Sequence, residues 1–126
     1  MILNTLIVTI GEDYCVSETF QPRCVKNEIV FIKSAIYGRM RIGRCITAAE
    51  IETLRSHYIG CSTSVRSLID RKCFGKTECE IRIAEISVEN IRPCPPGLNV
   101  YLEVSYDCID SKSSKNYERT SSLKCL

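Results

Sequence analysis

The sequence predicts an α+β domain in which strands outnumber helices and disulfides cross-link the whole. Three observations predict it. Runs such as Glu28–Ile36 and Asn99–Asp107 are rich in β-branched and aromatic residues and are bounded by turn residues. Two stretches, about 48–58 and 62–72, space their apolar residues as one face of a helix does. Nine cysteines in 126 residues is a density normal in oxidising compartments and a liability in a reducing cytosol.

The elements follow in chain order. Leu3 to Ile10 carries β-branched residues and stops at Gly11, which predicts a first strand. Glu28 to Ile36 is a second strand, apolar enough to be largely buried, and it runs into a turn at Tyr37-Gly38-Arg39. Thr47-Ala-Ala-Glu50 has the spacing of a capping box, and Ile51, Leu54 and Tyr58 then mark one face of a helix. Ser62 to Lys72 predicts a second helix with Val65, Leu68 and Ile69 on one stripe, flanked by Cys61 and Cys73. Glu80 to Ala84 alternates at period two, as a half-buried strand does. Ile91 to Gly97 holds three prolines, which fix φ and remove three amide donors, so it is a rigid loop. In Asn99 to Asp107, Val100, Leu102 and Val104 face one way, and Tyr101, Glu103 and Ser105 the other. From Ile109 to Leu126 the chain turns Ser- and Lys-rich and reads as a flexible tail.

Length and composition bound the function. The chain is long enough for one domain, and at 44% hydrophobic and 25% charged residues it can build a core. A net charge of +2 is too mild to argue for nucleic acid or an anionic membrane. The first ten residues have no basic flank and no small-residue cleavage site, so they read as a strand rather than a leader, and they are too short to span a bilayer. Cys125-Leu126 is not a prenylation box, and no Asn-x-Ser/Thr sequon occurs.

The cysteines are Cys15, Cys24, Cys45, Cys61, Cys73, Cys79, Cys94, Cys108 and Cys125. None forms a Cys-x-x-Cys knuckle, and His57 is the single histidine, so a zinc site is poorly supplied and disulfides are the better reading. Nine is odd, so at least one thiol lacks a partner in its own chain. Eight cysteines allow about 105 pairings, which spacing does not resolve.

No catalytic constellation stands out. His57 reads as a solvated or capping residue on a helix face, and Glu50/Glu52 and Glu78/Glu80 as solvated faces. Arg39, Arg41 and Arg44 lack interleaved aromatics, so a solvated loop is preferred to a nucleic-acid contact. The chain is expected to be no enzyme and to need no cofactor and no metal.

Ala35-Ile-Tyr-Gly-Arg39, together with Pro93-Cys94, Gly97 and Tyr101-Leu-Glu-Val-Ser-Tyr-Asp-Cys108, resembles the sea-urchin-egg-lectin type domain, the galactose/rhamnose-binding lectin domain of fish-egg lectins and latrophilin receptors. The likeness covers residues about 5 to 108, and eight cysteines follow the family's order, including Cys73 and Cys79 beside Gly75-Lys-Thr-Glu78. It implies a compact antiparallel, β-sandwich-like domain with one or two packed helices, over residues 1–108, followed by the tail 109–126. It also implies four bridges: Cys15–Cys45, Cys24–Cys108, Cys61–Cys94 and Cys73–Cys79. Cys125 is left over; the expectation is a bond to an identical chain, giving a disulfide-linked dimer, or to the next module of a larger protein, against the alternative that its partner lies outside this sequence.

The family's sugar-binding positions are altered. Where the pattern has an acid after the first Cys, the Asn of Ala-Asn-Tyr-Gly-Arg, the Asp before Pro-Cys and the Lys before Tyr-Leu, this sequence has Val16, Ile36, Arg92 and Val100. The Pro95-Pro96 stretch is one residue longer than the pattern, and Glu18 is a candidate replacement for the missing acid. The ligand-binding set that remains is Tyr37, Gly38, Arg39, Arg92 and Gly97. Tyr37 would stack on a ligand and Gly97 would admit close backbone approach; the bland alternative is that Tyr37 and Arg39 hold the turn. An apolar pocket with a cation at its edge suits a protein better than a polyhydroxylated sugar. The expectation is a secreted or ectodomain recognition module for a cell-surface or matrix protein. The alternatives are a glycoconjugate-binding lectin of altered specificity and a small secreted disulfide-rich effector.

Overall fold

The computed structural model describes residues 11–47 and 59–112. The strand expected at Leu3–Ile10, the helix expected near 48–58 with His57 and all of its capping box but Thr47, and most of the tail with Cys125 lie outside the described residues.

Two long strands of opposite direction form the centre. β3 (Glu28–Gly38) and β6 (Tyr101–Asp110) pair antiparallel along their length, from Glu28 opposite Asp110 to Gly38 opposite Tyr101. β1 (Glu12–Cys15) adds to the far side of β6 and β4 (Ser62–Ser64) to the far side of β3, so the sheet order is β1-β6-β3-β4. A second, two-stranded sheet joins β2 (Thr19–Phe20) to β5 (Ile81–Arg82).

β3 explains why its sequence looked apolar without clean alternation. Val30 and Ile32 are fully buried, and so are Ala35 and Tyr37, which have the opposite parity. The pairing with β6 slips between Ile32 and Ser34, leaving Lys33 as the extra residue of a bulge. That one residue switches parity, so both halves of the strand face the same core. Lys33 reaches Asp107 at 3.6 Å.

The core lies between the large sheet, the small sheet and helix α1 (Arg66–Cys73), where Phe20, Val30, Ile32, Leu68, Ile69, Ile81, Ile83, Ile86, Leu102 and Val104 cluster. Burying each such side chain contributes about 1.5–3 kcal/mol. Phe20 stands edge-on between Tyr14 and Tyr106, with ring centroids 5.3 and 5.7 Å apart. Tyr101 is buried as well, on the other face of β6, against Ile46 with Met40, Cys45 and Ile59 around it. β6 is therefore covered on both faces at its start, where alternation predicts a solvent-facing tyrosine.

Three boundaries differ from expectation. The helix begins at Arg66, not Ser62, because Ser62, Thr63 and Ser64 pair with Gly38, Tyr37 and Ile36 as an exposed edge strand. The strand at 80–84 is only Ile81–Arg82, after which Ile83–Glu89 winds into a 3₁₀ helix. Ile83 and Ile86, three residues apart, fall on one buried edge of that helix, as its period of three requires. β6 extends through Asp110, and the Ser111 amide then donates to the Asn27 carbonyl.

The four bridges are Cys15–Cys45, Cys24–Cys108, Cys61–Cys94 and Cys73–Cys79, the pairing that the resemblance implied. Among the described residues no helix is long and apolar enough to cross a membrane.

Candidate functional site

A cleft of roughly 520 Å³ opens where the C-terminal end of β3 meets the proline loop. Tyr37 forms part of its lining from β3, Ser87 from the end of the 3₁₀ helix, and Ile91 to Leu98 and Val100 from the loop. The 3₁₀ helix ends at Asn90, whose left-handed backbone turns the chain into that loop. Prolines 93, 95 and 96 stiffen it, Gly97 turns it back at φ +86°, and Cys94–Cys61 ties it down beside β4.

The expected ligand-binding residues divide into two groups. Tyr37, Arg92 and Gly97 line the cleft. Tyr37 is only 3% exposed, and burial pushes its phenol pKa up, so the hydroxyl keeps its proton. Gly38 and Arg39 stand behind the wall instead. A Cβ on Gly38 would come within 2.2 Å of the Cys61 carbonyl oxygen, so only glycine lets β3 and the Cys61 segment approach this closely. The Arg39 guanidinium, buried at 3% exposure, donates to the Asn99 carbonyl at 2.6 Å. Its amide donates to the Cys61 carbonyl, and its own carbonyl accepts from the Gly60 amide. Arg39 thereby ties three segments together beneath the proline loop.

Of the altered positions, Arg92 and Val100 line the cleft. Val16 lines a neighbouring hollow of roughly 430 Å³ that shares Val100. Ile36 lies on neither and pairs with Ser64 and Glu103 across the sheet. Glu18 is engaged elsewhere. Its carboxylate takes two hydrogen bonds from Arg44, at 2.7 and 2.8 Å, and one from the Cys15 amide at 2.7 Å. These contacts, Arg44 first, hold its pKa below the usual carboxylate range.

The arginine loop is likewise not a row of solvated cations. Arg41 bridges Asp13 at 2.9 Å and Glu103 at 2.5 Å, and Arg44 adds a bond to the Asp13 carbonyl. Neutralised this way, the loop is a clamp on β1 and β6, not an anion-binding patch. Among the described residues the one grouping with metal-ligand spacing is Cys15, Glu18 and Cys45, and its two sulfurs are bonded to each other and offer no thiolate.

What the sequence alone did not supply is the rest of the cleft wall. Ser87 and Leu98 line it because the 3₁₀ helix delivers the chain there, and that helix has no strong signature. Val100, one of the altered sugar-binding positions, does line the cleft, just ahead of the first residue of β6.

The family model for the D-galactoside/L-rhamnose binding SUEL lectin domain matches residues 22–108. The chain belongs to this lectin-domain family. Over 95 residues, 75% of its length, it is 32% identical to protein eva-1 homolog C of Pan troglodytes and 30% identical to that of Homo sapiens. Over 99 residues, 77% of its length, it is 32% identical to L-rhamnose-binding lectin CSL1 of Oncorhynchus keta. The matches span 21% of each eva-1 homolog C and 33% of the lectin, so this SUEL lectin domain corresponds to a fraction of those proteins.

Proposed function

We propose that the chain is a non-catalytic extracellular recognition module with a lectin fold, that its monosaccharide pocket is largely lost, and that its cleft engages a protein of the cell surface or matrix. The observation that carries this reading is the lining of the cleft. Three prolines, Ile91, Leu98 and Val100 make it apolar, and among the described residues the hydrogen-bonding side chains along it are those of Tyr37, Ser87 and Arg92. The Ser87 hydroxyl already donates to the Ala84 carbonyl at 3.0 Å. A sugar ring brings several hydroxyl groups, each needing a partner once buried, and an unpartnered one costs about 1–3 kcal/mol. Glu18, the nearest substitute acid, is committed to Arg44 and Cys15. Four disulfides support an oxidising, extracellular setting.

The test is retention on rhamnose-, galactose- and glycan-coated resins with free sugar as competitor, beside thermal unfolding. A sugar at 100 times its dissociation constant adds about 2.7 kcal/mol, which raises the melting midpoint of a domain this size by several degrees. The expected result is no sugar-eluted retention and no shift at millimolar rhamnose or galactose. Sugar-eluted binding would overturn the reading in favour of an active lectin of altered specificity.

A further inference from the structure

Arg92 differs from most arginines of this molecule. Arg23, Arg39, Arg41, Arg44, Arg66 and Arg82 each hold a carboxylate or a carbonyl. Arg92 is exposed and has no hydrogen-bond or ion-pair partner among the described residues. Among the described residues it is also the single formally charged one lining this cleft. A lone guanidinium at the rim of an apolar surface, with no acid among the described residues to neutralise it, leaves the site electrostatically complementary to an anion.

The loop beside it narrows the choice. Pro93, Pro95 and Pro96 have no amide hydrogen but keep their carbonyls, so this wall is rich in acceptors and poor in donors. It matches a ligand that brings N–H groups of its own. A polypeptide does so; a fatty acid does not. A volume of roughly 520 Å³ is in the range of small-ligand pockets and admits a few residues of an extended chain.

We infer that the cleft takes an extended peptide segment in which a carboxylate stands beside a bulky apolar side chain, with Arg92 as the anion contact and Tyr37, Leu98 and Val100 as the apolar floor. This rests on the reading of the cleft as a protein-binding site and names the chemistry of that partner. The guanidinium supplies charge and a bidentate geometry for the carboxylate, and the prolines are already rigid, so little entropy is lost at the wall on binding.

The experiment uses the full 126-residue oxidised chain. A displayed random heptapeptide library is selected on it, and the enriched peptides are made with a fluorescent label and titrated by anisotropy. The expected result is enrichment of Asp or Glu next to Leu, Ile, Phe or Tyr. Arg92→Glu should weaken these peptides about tenfold or more, and Arg92→Lys should weaken them less. Arg71→Glu, a charge reversal at an exposed position of α1, should leave them unchanged. Unchanged melting midpoints for all three variants show that the fold is kept. Enriched peptides that lack acids, or that bind Arg92→Glu equally well, overturn this inference while leaving the protein-partner reading in place. Failure to enrich any sequence, or displacement of bound peptide by laurate, also overturns it. Displacement by millimolar rhamnose overturns both.

Discussion

Gly38 is the position where the fold depends most sharply on a single atom. Its backbone lies at φ +152°, and an added Cβ would meet the Cys61 carbonyl oxygen at 2.2 Å and the Ser62 Cα at 2.6 Å. Both are main-chain atoms of a segment fastened by Cys61–Cys94, so they have little room to retreat. Gly38→Ala should therefore cost about 3 kcal/mol, combining backbone strain with overpacking. Gly97 is the control. At φ +86° it too disfavours a side chain, but nothing lies within 4 Å of its missing Cβ, so Gly97→Ala should cost only about 1–2 kcal/mol. Urea midpoints of the two variants, at equal m-values, would check the ordering; equal losses would contradict the packing account of Gly38.

At the scale of elements, the clamp on β1 makes stability depend on pH. Arg44 and the Cys15 amide lower the pKa of Glu18 in the folded chain relative to the unfolded one. The stabilisation is present in full above the ordinary glutamate value, about 4.3, and is lost as pH falls through the lower folded value. Melting midpoints from pH 7 to pH 3 should fall for the wild type, with part of the fall removed in Glu18→Gln. That variant should be the less stable at pH 7, and its difference from the wild type should shrink toward pH 3. An unchanged difference at both ends would show that the clamp does not depend on the charge of Glu18.

Legibility of the sequence also varies by element. Glu28–Ile36 and Asn99–Asp107 declared themselves because long central strands are apolar on the buried side whatever their neighbours do. β1 did not: Glu12 and Asp13 look like turn residues, and they are strand only because β6 offers them an edge. Ser62–Ser64 was absorbed into a helix because its pairing partner, Ile36–Gly38, lies far away in sequence. The lectin motifs pointed to Tyr37, Arg92 and Gly97, which do meet at one cleft. They also pointed to Gly38 and Arg39, whose roles behind the wall depend on Cys61 and Asn99, contacts that no local pattern encodes.

For the whole molecule, the bridges should contribute unequally. Cys24–Cys108 joins residues 84 apart and Cys73–Cys79 residues 6 apart. In the chain-entropy model these separations correspond to about 4–5 and about 2 kcal/mol. Cys24→Ala/Cys108→Ala should accordingly be destabilised more than Cys73→Ala/Cys79→Ala in denaturant titrations, and the reverse order would set that model aside for this domain. Cys125 has no place in the four bridges. Non-reducing electrophoresis should show a dimer band that disappears in Cys125→Ser; a monomer band unaffected by the substitution would exclude the covalent dimer.

The pairing of β3 with β6 brings together residues about seventy positions apart, and this sets an order of events during synthesis. When β3 and the first seven cysteines have emerged from the ribosome, the strand that completes the central sheet does not yet exist. Until it arrives, Cys24 has no native partner and the apolar face of β3 has no cover. The tight Cys73–Cys79 loop can close on local contacts alone, whereas the native Cys24–Cys108 bond must wait for the end of the domain. Long-range pairing of this kind folds slowly and exposes the chain to wrong pairings meanwhile. Yield in the secretory pathway should therefore be limited by disulfide reshuffling, and raising isomerase capacity should improve it more than raising oxidant.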